Sequence, residues 1–278
     1  MIEIVGSIVL YHNKKEQLIK AIKSFLNTDL KVKLYLIDNS SNDDLKELKK
    51  IDDRIIYIFN NANLGYGAAH NIAIRQSIEK DALYHVVLNP DIYFESGVLE
   101  KLFSYMKKNS KIGNVLPKVL YPDGEVQHLC KLLPTPTDLI LRRFIPFKSW
   151  KEKRNNLYEL RFSGYNKIMN VPSLSGCFMF FRVSALKEVG LFDEDIFMYL
   201  EDVDLNRRIH SKYETIFYPE VDIVHEYAKE SYKSKKLLMF HMQSAIYYFN
   251  KWGWFLDKQR DNINTKCLKE LNYKKGEE

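Results

Sequence analysis

Through the first hundred residues, apolar runs short enough for strands alternate with segments of helical spacing, and this alternation excludes most folds. Ile2–Tyr11 is almost continuously apolar, Lys15–Leu26 sets Leu18, Ile19, Ile22, Phe25 and Leu26 along one helical face, and Val32–Ile37 is apolar again. A polar helix over Asp43–Lys50, a strand over Ile55–Phe59, a helix over Ala68–Glu79 and a strand over Tyr84–Leu88 continue the pattern. Strands apolar on both faces and joined by helices form a parallel sheet covered by those helices. Such sheets take ligands beyond the carboxyl ends of their strands. Three polar clusters fall there: Asp38-Asn39, Asn63-x-Gly65-x-Gly67 and Asn89-Pro90-Asp91. Pro90 lacks an N–H and biases Asn89 toward extended backbone, so it ends the strand and delivers Asp91 at its tip.

The rest of the chain is less regular. Val98–Lys108 reads as a helix, and Val115–Tyr121 with Glu125–Leu129 as a hairpin across Pro122-Asp123-Gly124. Residues 131–168 carry prolines and arginines with little periodicity and read as an irregular excursion or lid. An apolar strand follows at Ser173–Arg182, then a short helix at Ser184–Val189 ended by Gly190. The loop Phe192–Tyr199 leads into a helix at Glu201–His210, and strands at Thr215–Tyr218 and Asp222–Val224 end at His225. Lys235–Leu256 is an amphipathic, aromatic-rich helix.

With 278 residues, 46% of them hydrophobic, the chain can bury a sizeable core. Its net charge of +6, much of it in Lys229–Lys236 and the tail, favours anions without choosing among phosphates, membranes and nucleic acid. Three widely spaced cysteines suggest reduced structural thiols in a cytoplasmic protein rather than a metal cluster. Residues 1–12 lack the pattern of a signal peptide, and no uncharged apolar stretch reaches the roughly 18 residues of a membrane span. These features place the expected site of work on the cytoplasmic side.

Taken singly, the candidate groups are ambiguous. Asp91 can form a turn or ligate a metal. Glu201-Asp202-Val203-Asp204 can cap a helix, with Asp204 paired to Arg207 or Arg208. Glu201 and Asp202 also lie about 100° apart around a helix, so one can be anchored while the other faces a cleft. His225 can be a surface histidine or a ligand, and a single Gly-x-Gly loop is common.

Their order changes the reading. Asp38, Asn63-x-Gly65-x-Gly67 with Asn71, Asn89-Pro90-Asp91, Ser175-Gly176-Cys177, FDEDIFMYLEDVDL and His225 together resemble the family-2 glycosyltransferases of the GT-A fold, in their rhamnosyltransferase-like branch. The resemblance runs from about Ile4 to about Tyr232. It implies an α/β protein with a Rossmann-like, mostly parallel central sheet flanked by helices. A catalytic domain over 1–228 divides into a nucleotide-binding half, 1–95, and an acceptor half, 96–228, and a helical extension covers 229–278. The resemblance also assigns roles. Asp91, the retained acid of an Asp-x-Asp motif, would hold Mg2+ or Mn2+, and His225 would complete the metal site. Asn89, at the place of the first acid, would touch the nucleotide or sugar. Asp38 would contact base and ribose, with Tyr11, Asn63, Gly65 and Asn71 in the donor-binding set. Asp202 would be the catalytic base, beside Glu201.

The chemistry requires such a set. A hard dication neutralises a departing diphosphate, and an acceptor hydroxyl needs a base, worth about 10²–10⁴-fold. Direct displacement inverts the anomeric centre without a protein nucleophile. The expected reaction moves a sugar, rhamnose first among the candidates, from a dTDP- or UDP-linked donor to a polysaccharide or lipid-linked acceptor. Asn89 keeps a non-catalytic nucleotide-sugar binder as an alternative. A nucleotidyltransferase would want a basic Gly-rich loop after the first strand, which SIVLYHNKKEQL does not supply. Nucleic acid is disfavoured because the basic residues do not interleave with aromatic ones in a groove. Lys229, Lys233, Lys235 and Lys236 precede a helix whose apolar side includes Leu238, Met242, Ala245, Ile246, Phe249 and Trp252. That side can close the core, form a homodimer, or lie on an anionic membrane.

Overall fold

A computed structural model describes residues 2–141, 147–226 and 235–274. β1 (Ile4–Leu10), α1 (Lys15–Leu26), β2 (Val32–Asp38), β3 (Ile55–Phe59), α2 (Tyr66–Glu79) and β4 (Tyr84–Leu88) reproduce the alternation read from the sequence. They form the parallel part of the sheet in the order β3-β2-β1-β4. The helix expected over Asp43–Lys50 shrinks to a 3-10 turn at Lys46–Lys50. Its buried anchors, Leu45 and Leu48, are three apart, the spacing that a 3-10 turn brings onto one side.

Beyond β4 the order along the chain is β5 (Ile92–Tyr93), α3 (Val98–Lys108), β6 (Ile112–Leu120), β7 (Cys130–Lys131), α4 (Lys148–Tyr158), β8 (Met169–Asn170), β9 (Ser173–Leu174), β10 (Phe178–Arg182) and α5 (Val183–Val189). α6 (Glu201–His210), β11 (Glu214–His225), α7 (Lys235–Trp252) and α8 (Lys258–Glu270) follow. The sheet continues β4-β10-β6-β11-β5, with β10 antiparallel to both neighbours and β6 parallel to β11. Parallel pairing thus dominates the first half, and the second half is mixed.

Four expectations change in that half. The turn at Tyr121–Glu125 forms, but only an isolated bridge, Leu120 to Val126, follows it. Gln127 draws the returning chain toward His225 instead. The described part of the excursion over 131–168 is packed rather than irregular: Leu133, Tyr158, Leu160 and Tyr165 are buried, and α4 lies within it. That helix escapes the pattern because Tyr158 is its one buried residue, and it is held by the Arg154–Asp138 ion pair. The strand at Ser173–Arg182 breaks at Ser175-Gly176-Cys177, where the Gly176 N–H leaves the ladder for Asp202. The two last strands merge into β11, with a register shift between Tyr218 and Asp222.

The extension holds two helices rather than one. α7 ends at Trp252, four residues short of the expected Leu256, and α8 follows. Ala245, Tyr248 and Phe249 pack against Leu133, Leu200 and Val203, so the apolar side of α7 closes the core, while Ile246 stays exposed. Lys229 and Lys233 lie outside the described residues. Among the described residues no helix is long and apolar enough to cross a membrane. The three cysteines are buried and unbridged.

Candidate active site

The tips of β2 and β3 meet the Gly-containing loop in a lattice of side-chain amides. Asn60 Nδ2 donates to Asn39 Oδ1 at 2.8 Å, and Asn39 Nδ2 donates to Gly65 O at 3.1 Å. Asn63 accepts from the Gly65 N–H at 3.1 Å and remains exposed, as does Tyr11 at the tip of β1. Gly65 has φ +86°, and a Cβ there would come 2.3 Å from Phe197 O. Only glycine fits such a position. The Tyr66 N–H donates to the same carbonyl, so this loop clamps the 192–200 segment against the start of α2.

At the tip of β4, Asp91 meets His225 at the end of β11, with Oδ1 3.3 Å from Nε2. Asp91 Oδ1 is buried without an aligned hydrogen bond. Gln127 holds the other side of the imidazole: its amide donates to His225 O at 2.9 Å and its oxygen lies 3.0 Å from Nδ1. An amide oxygen only accepts, so Nδ1 carries hydrogen and Nε2 is turned to Asp91. Burial opposes a charge on His225, but Asp91 and Cys177 outweigh it and push its pKa up to about 10. Among the described residues no three His, Cys, Asp or Glu side chains form a cage. A dication fits this pair if it displaces the proton from Nε2 and a ligand supplies the remaining oxygens. The buried oxygen, the oriented nitrogen and the amide behind it form the donor set of a substrate-completed metal site.

Glu201 and Asp202 stand at the head of α6. Asp202 Oδ2 accepts from the Gly176 N–H and Oδ1 from the Val203 N–H, both at 2.8 Å. Burial raises its pKa, while Lys131 and these N–H groups pull the other way. Glu201 is buried, with Oε2 taking no hydrogen bond, and burial together with the Asp202 charge pushes it up to about 8. Asp202 remains partly exposed. Tyr66 links the two sides: its hydroxyl lies 2.6 Å from Gly176 O and 3.0 Å from the Asn89 amide. Burial and the acids around it, Glu201, Asp202 and Asp91 among them, raise its pKa well above the phenol range.

Two other acids of FDEDIFMYLEDVDL, Asp193 and Asp204, are engaged in structure. Asp204 is buried and paired with Arg208 and Lys251 at 2.8 Å, and it accepts from Trp252 Nε1 at 2.8 Å. Asp193 pairs with Lys251 at 2.6 Å. Arg207, also buried, makes two hydrogen bonds to Asp257 at 2.7 and 2.8 Å and lies over the Trp252 ring. α7 and α8 therefore brace the helix that carries Asp202.

The fold brings Asn89, Asp91, His225, Glu201 and Asp202 together around Tyr66, with Asn63 and Tyr11 on the strand-tip rim. It does not open Asp38 or Asn71 to that space. Asp38 is fully buried, bonded to the Ser40 N–H at 2.8 Å and the Tyr57 hydroxyl at 2.6 Å. Asn71 is buried and brackets Phe192 through that residue's N–H and carbonyl. Both residues shape the site from behind. Sequence reasoning passed over Tyr66 and Gln127. Tyr66 sits inside the loop already singled out, but Gln127 offers no local signal, since its partner is 98 residues away.

A sequence profile of glycosyl transferase family 2 matches residues 7–190. N-acetylglucosaminyl-diphospho-decaprenol L-rhamnosyltransferase of Mycobacterium tuberculosis is 27% identical over 253 residues, covering 83% of this chain and 79% of that protein. Rhamnosyltransferase WbbL of Escherichia coli is 24% identical over 269 residues, covering 93% and 97%. Among solved structures, GalNAc-T7 with UDP, GalNAc and Mn2+ superposes with a TM-score of 0.65 at 15% identity, covering 98% of this chain and 57% of that one. TarS of S. aureus gives 0.59 at 13%, covering 96% and 43%. The chain thus spans about half the length of these two structural neighbours.

Proposed function

The chain belongs to glycosyl transferase family 2, is rhamnosyltransferase-like and has a GT-A-type fold, and on that premise we propose that it inverts the anomeric centre of a nucleotide-linked sugar as it transfers that sugar to a hydroxyl. The observation that carries the reading is the meeting of Asp202 with the Asp91–His225 pair around Tyr66. A pure nucleotide binder has no use for a half-buried carboxylate steered by two N–H groups.

In this reading Asp202 takes the proton from the acceptor hydroxyl. The Gly176 and Val203 N–H groups fix its orientation, while burial keeps it basic enough to work. Asn63, Asn89 and Tyr11 contact the donor. Asp38 acts by pinning the tip of β2 through the Ser40 N–H and the Tyr57 hydroxyl. Mg2+ or Mn2+ held by Asp91 and His225 would neutralise charge on the leaving diphosphate. The names of the similar proteins favour rhamnose as the sugar and a diphospho-lipid-linked or growing glycan as the acceptor. Both dTDP and UDP suit the donor.

The test incubates the protein with dTDP-rhamnose or UDP-sugars, Mn2+ and a GlcNAc-diphospho-lipid analogue. The expected result is acceptor-dependent release of nucleoside diphosphate and a product of opposite anomeric configuration. Donor binding without transfer to any acceptor would leave only the binding-module reading, and retained configuration would remove the single-displacement mechanism.

A further inference from the structure

Four large apolar side chains stand in solvent on two segments far apart in sequence. Phe147 and Trp150, at the start of α4, are 69% and 36% exposed, and Phe255 and Leu256, between α7 and α8, are 78% and 96% exposed. A lone exposed residue of this kind is ordinary, but two pairs on segments anchored to one turn are not.

Both segments are tied to the same five residues, the π-helical turn Thr137–Leu141. On one side, Asp138 in that turn is buried and grips Arg154 of α4 with bonds of 2.6 and 2.8 Å. On the other, Leu139 and Ile140 pack with Trp252 and Trp254, next to the exposed Phe255. Leu200 and Val203 belong to this cluster too, and they flank Glu201 and Asp202. The segments that carry the rim and the helix that carries the base are therefore joined through one hydrophobic cluster.

The charge around the rim is basic. Lys148 and Lys153 of α4 and Lys258 of α8 are exposed, against the exposed acids Glu152 of α4 and Asp261 of α8. Arg154 and Asp257 are taken up by Asp138 and Arg207 and add nothing to the surface. Aromatic rings beside lysines match a bilayer interface, where rings sit at headgroup depth and each basic residue adds about 1 kcal/mol on an anionic leaflet.

We propose that the rim formed by the start of α4 and the α7–α8 corner docks the protein on an anionic lipid bilayer, with Phe147, Trp150, Phe255 and Leu256 inserted at headgroup level. The purpose assigned to this docking rests on the transferase reading: a lipid-linked acceptor would then be presented beside Asp202. The bilayer contact itself does not depend on turnover.

The test is sedimentation of the full chain with phosphatidylcholine vesicles, with and without phosphatidylglycerol. The intact protein should pellet with the anionic vesicles and be released by salt. Phe255→Ser with Leu256→Ser should weaken partitioning about tenfold, and Lys148→Glu with Lys153→Glu should abolish the preference for anionic lipid. Because Phe255 and Leu256 are solvated, their replacement leaves the core intact, and an unchanged melting temperature checks this. Nucleoside diphosphate release with a water-soluble acceptor is followed on the same samples. Vesicle binding without transfer would sink the transferase reading and keep the docking face. Transfer without vesicle binding would do the reverse. A concentration-dependent dimer abolished by the serine changes, with no pelleting at low salt, would assign the rim to a second copy and overturn the proposal.

Discussion

Beneath α2, Ser7 Oγ lies 2.7 Å from His70 Nδ1 and 2.9 Å from His85 Nε2, and His85 Nδ1 reaches Ser77 Oγ at 2.7 Å. Burial keeps both imidazoles neutral, His70 well below its ordinary pKa and His85 at about 3. At the head of α6 the buried polar pair is acidic, and one of its oxygens, Glu201 Oε2, has no hydrogen bond. Each cluster leaves one buried polar atom without a hydrogen bond, so what separates them is charge. A neutral chain, even with His70 Nε2 unpaired, fixes a strand against a helix. An acidic pair left partly unpaired costs stability, and such a cost is usual where the group is used in chemistry.

Asp202→Asn should break this contrast most sharply, lowering turnover by roughly 10²–10⁴ while leaving donor affinity nearly unchanged. Ser7→Ala should do the opposite, costing about 1–3 kcal/mol of stability at unchanged turnover per folded molecule. Stopped-time product assays and urea melts on the two variants would refute the division of labour if either change moved both quantities alike.

The next effect is structural. Arg207→Met leaves Asp257 as a buried carboxylate without its partner, and a loss of about 3–5 kcal/mol is expected from denaturant curves. A shift under about 1 kcal/mol would show that Asp257 finds another partner, with Arg260 the nearest candidate.

Gln127→Ala releases the imidazole of His225 without touching the metal side of the ring. Mn2+ affinity, measured calorimetrically in the presence of nucleoside diphosphate, should fall about 10–100-fold. Unchanged affinity would mean that the amide has no part in orienting the ligand.

The smallest effect separates the two clusters by pH. Glu201 has a raised pKa in the folded protein, so its stabilising contribution is complete below its unfolded value and is lost as pH rises toward 8. The buried histidines have lowered values, so stability is lost as pH falls below their unfolded value. Glu201→Gln should therefore flatten the alkaline arm of the stability profile, by on the order of 1 kcal/mol between neutral pH and pH 8, and spare the acid arm. Equal flattening of both arms would show that Glu201 is not the group responsible.

Much of the parallel half was legible in the sequence because its signals are local. Leu18, Ile22, Phe25 and Leu26 announce α1 by spacing alone, and Pro90 announces the end of β4. α4 was hidden because a helix held by one ion pair and one buried tyrosine has no apolar stripe to read. Within the candidate site, Asp91, His225 and the Glu201–Asp202 pair were visible as acids and a histidine at element ends. Asp38, also an acid at a strand end, and Asn71, within α2, face inward, and only tertiary contacts such as Tyr57 and Phe192 decide that. Asp193 and Asp204 likewise belong to the acidic stretch in sequence but to the α7 contacts in space.

The link between Arg207 and Asp257 joins residues 50 positions apart, and it sets an order of assembly. At about 5–20 residues per second of synthesis, α6 exists for some seconds before the carboxylate that balances its guanidinium has been made. Strands β1–β4 and α2 need nothing from the last fifty residues to pair and pack. The nascent chain can therefore complete its strand-tip rim early, while the helix that carries Asp202 waits for the final two helices to brace it.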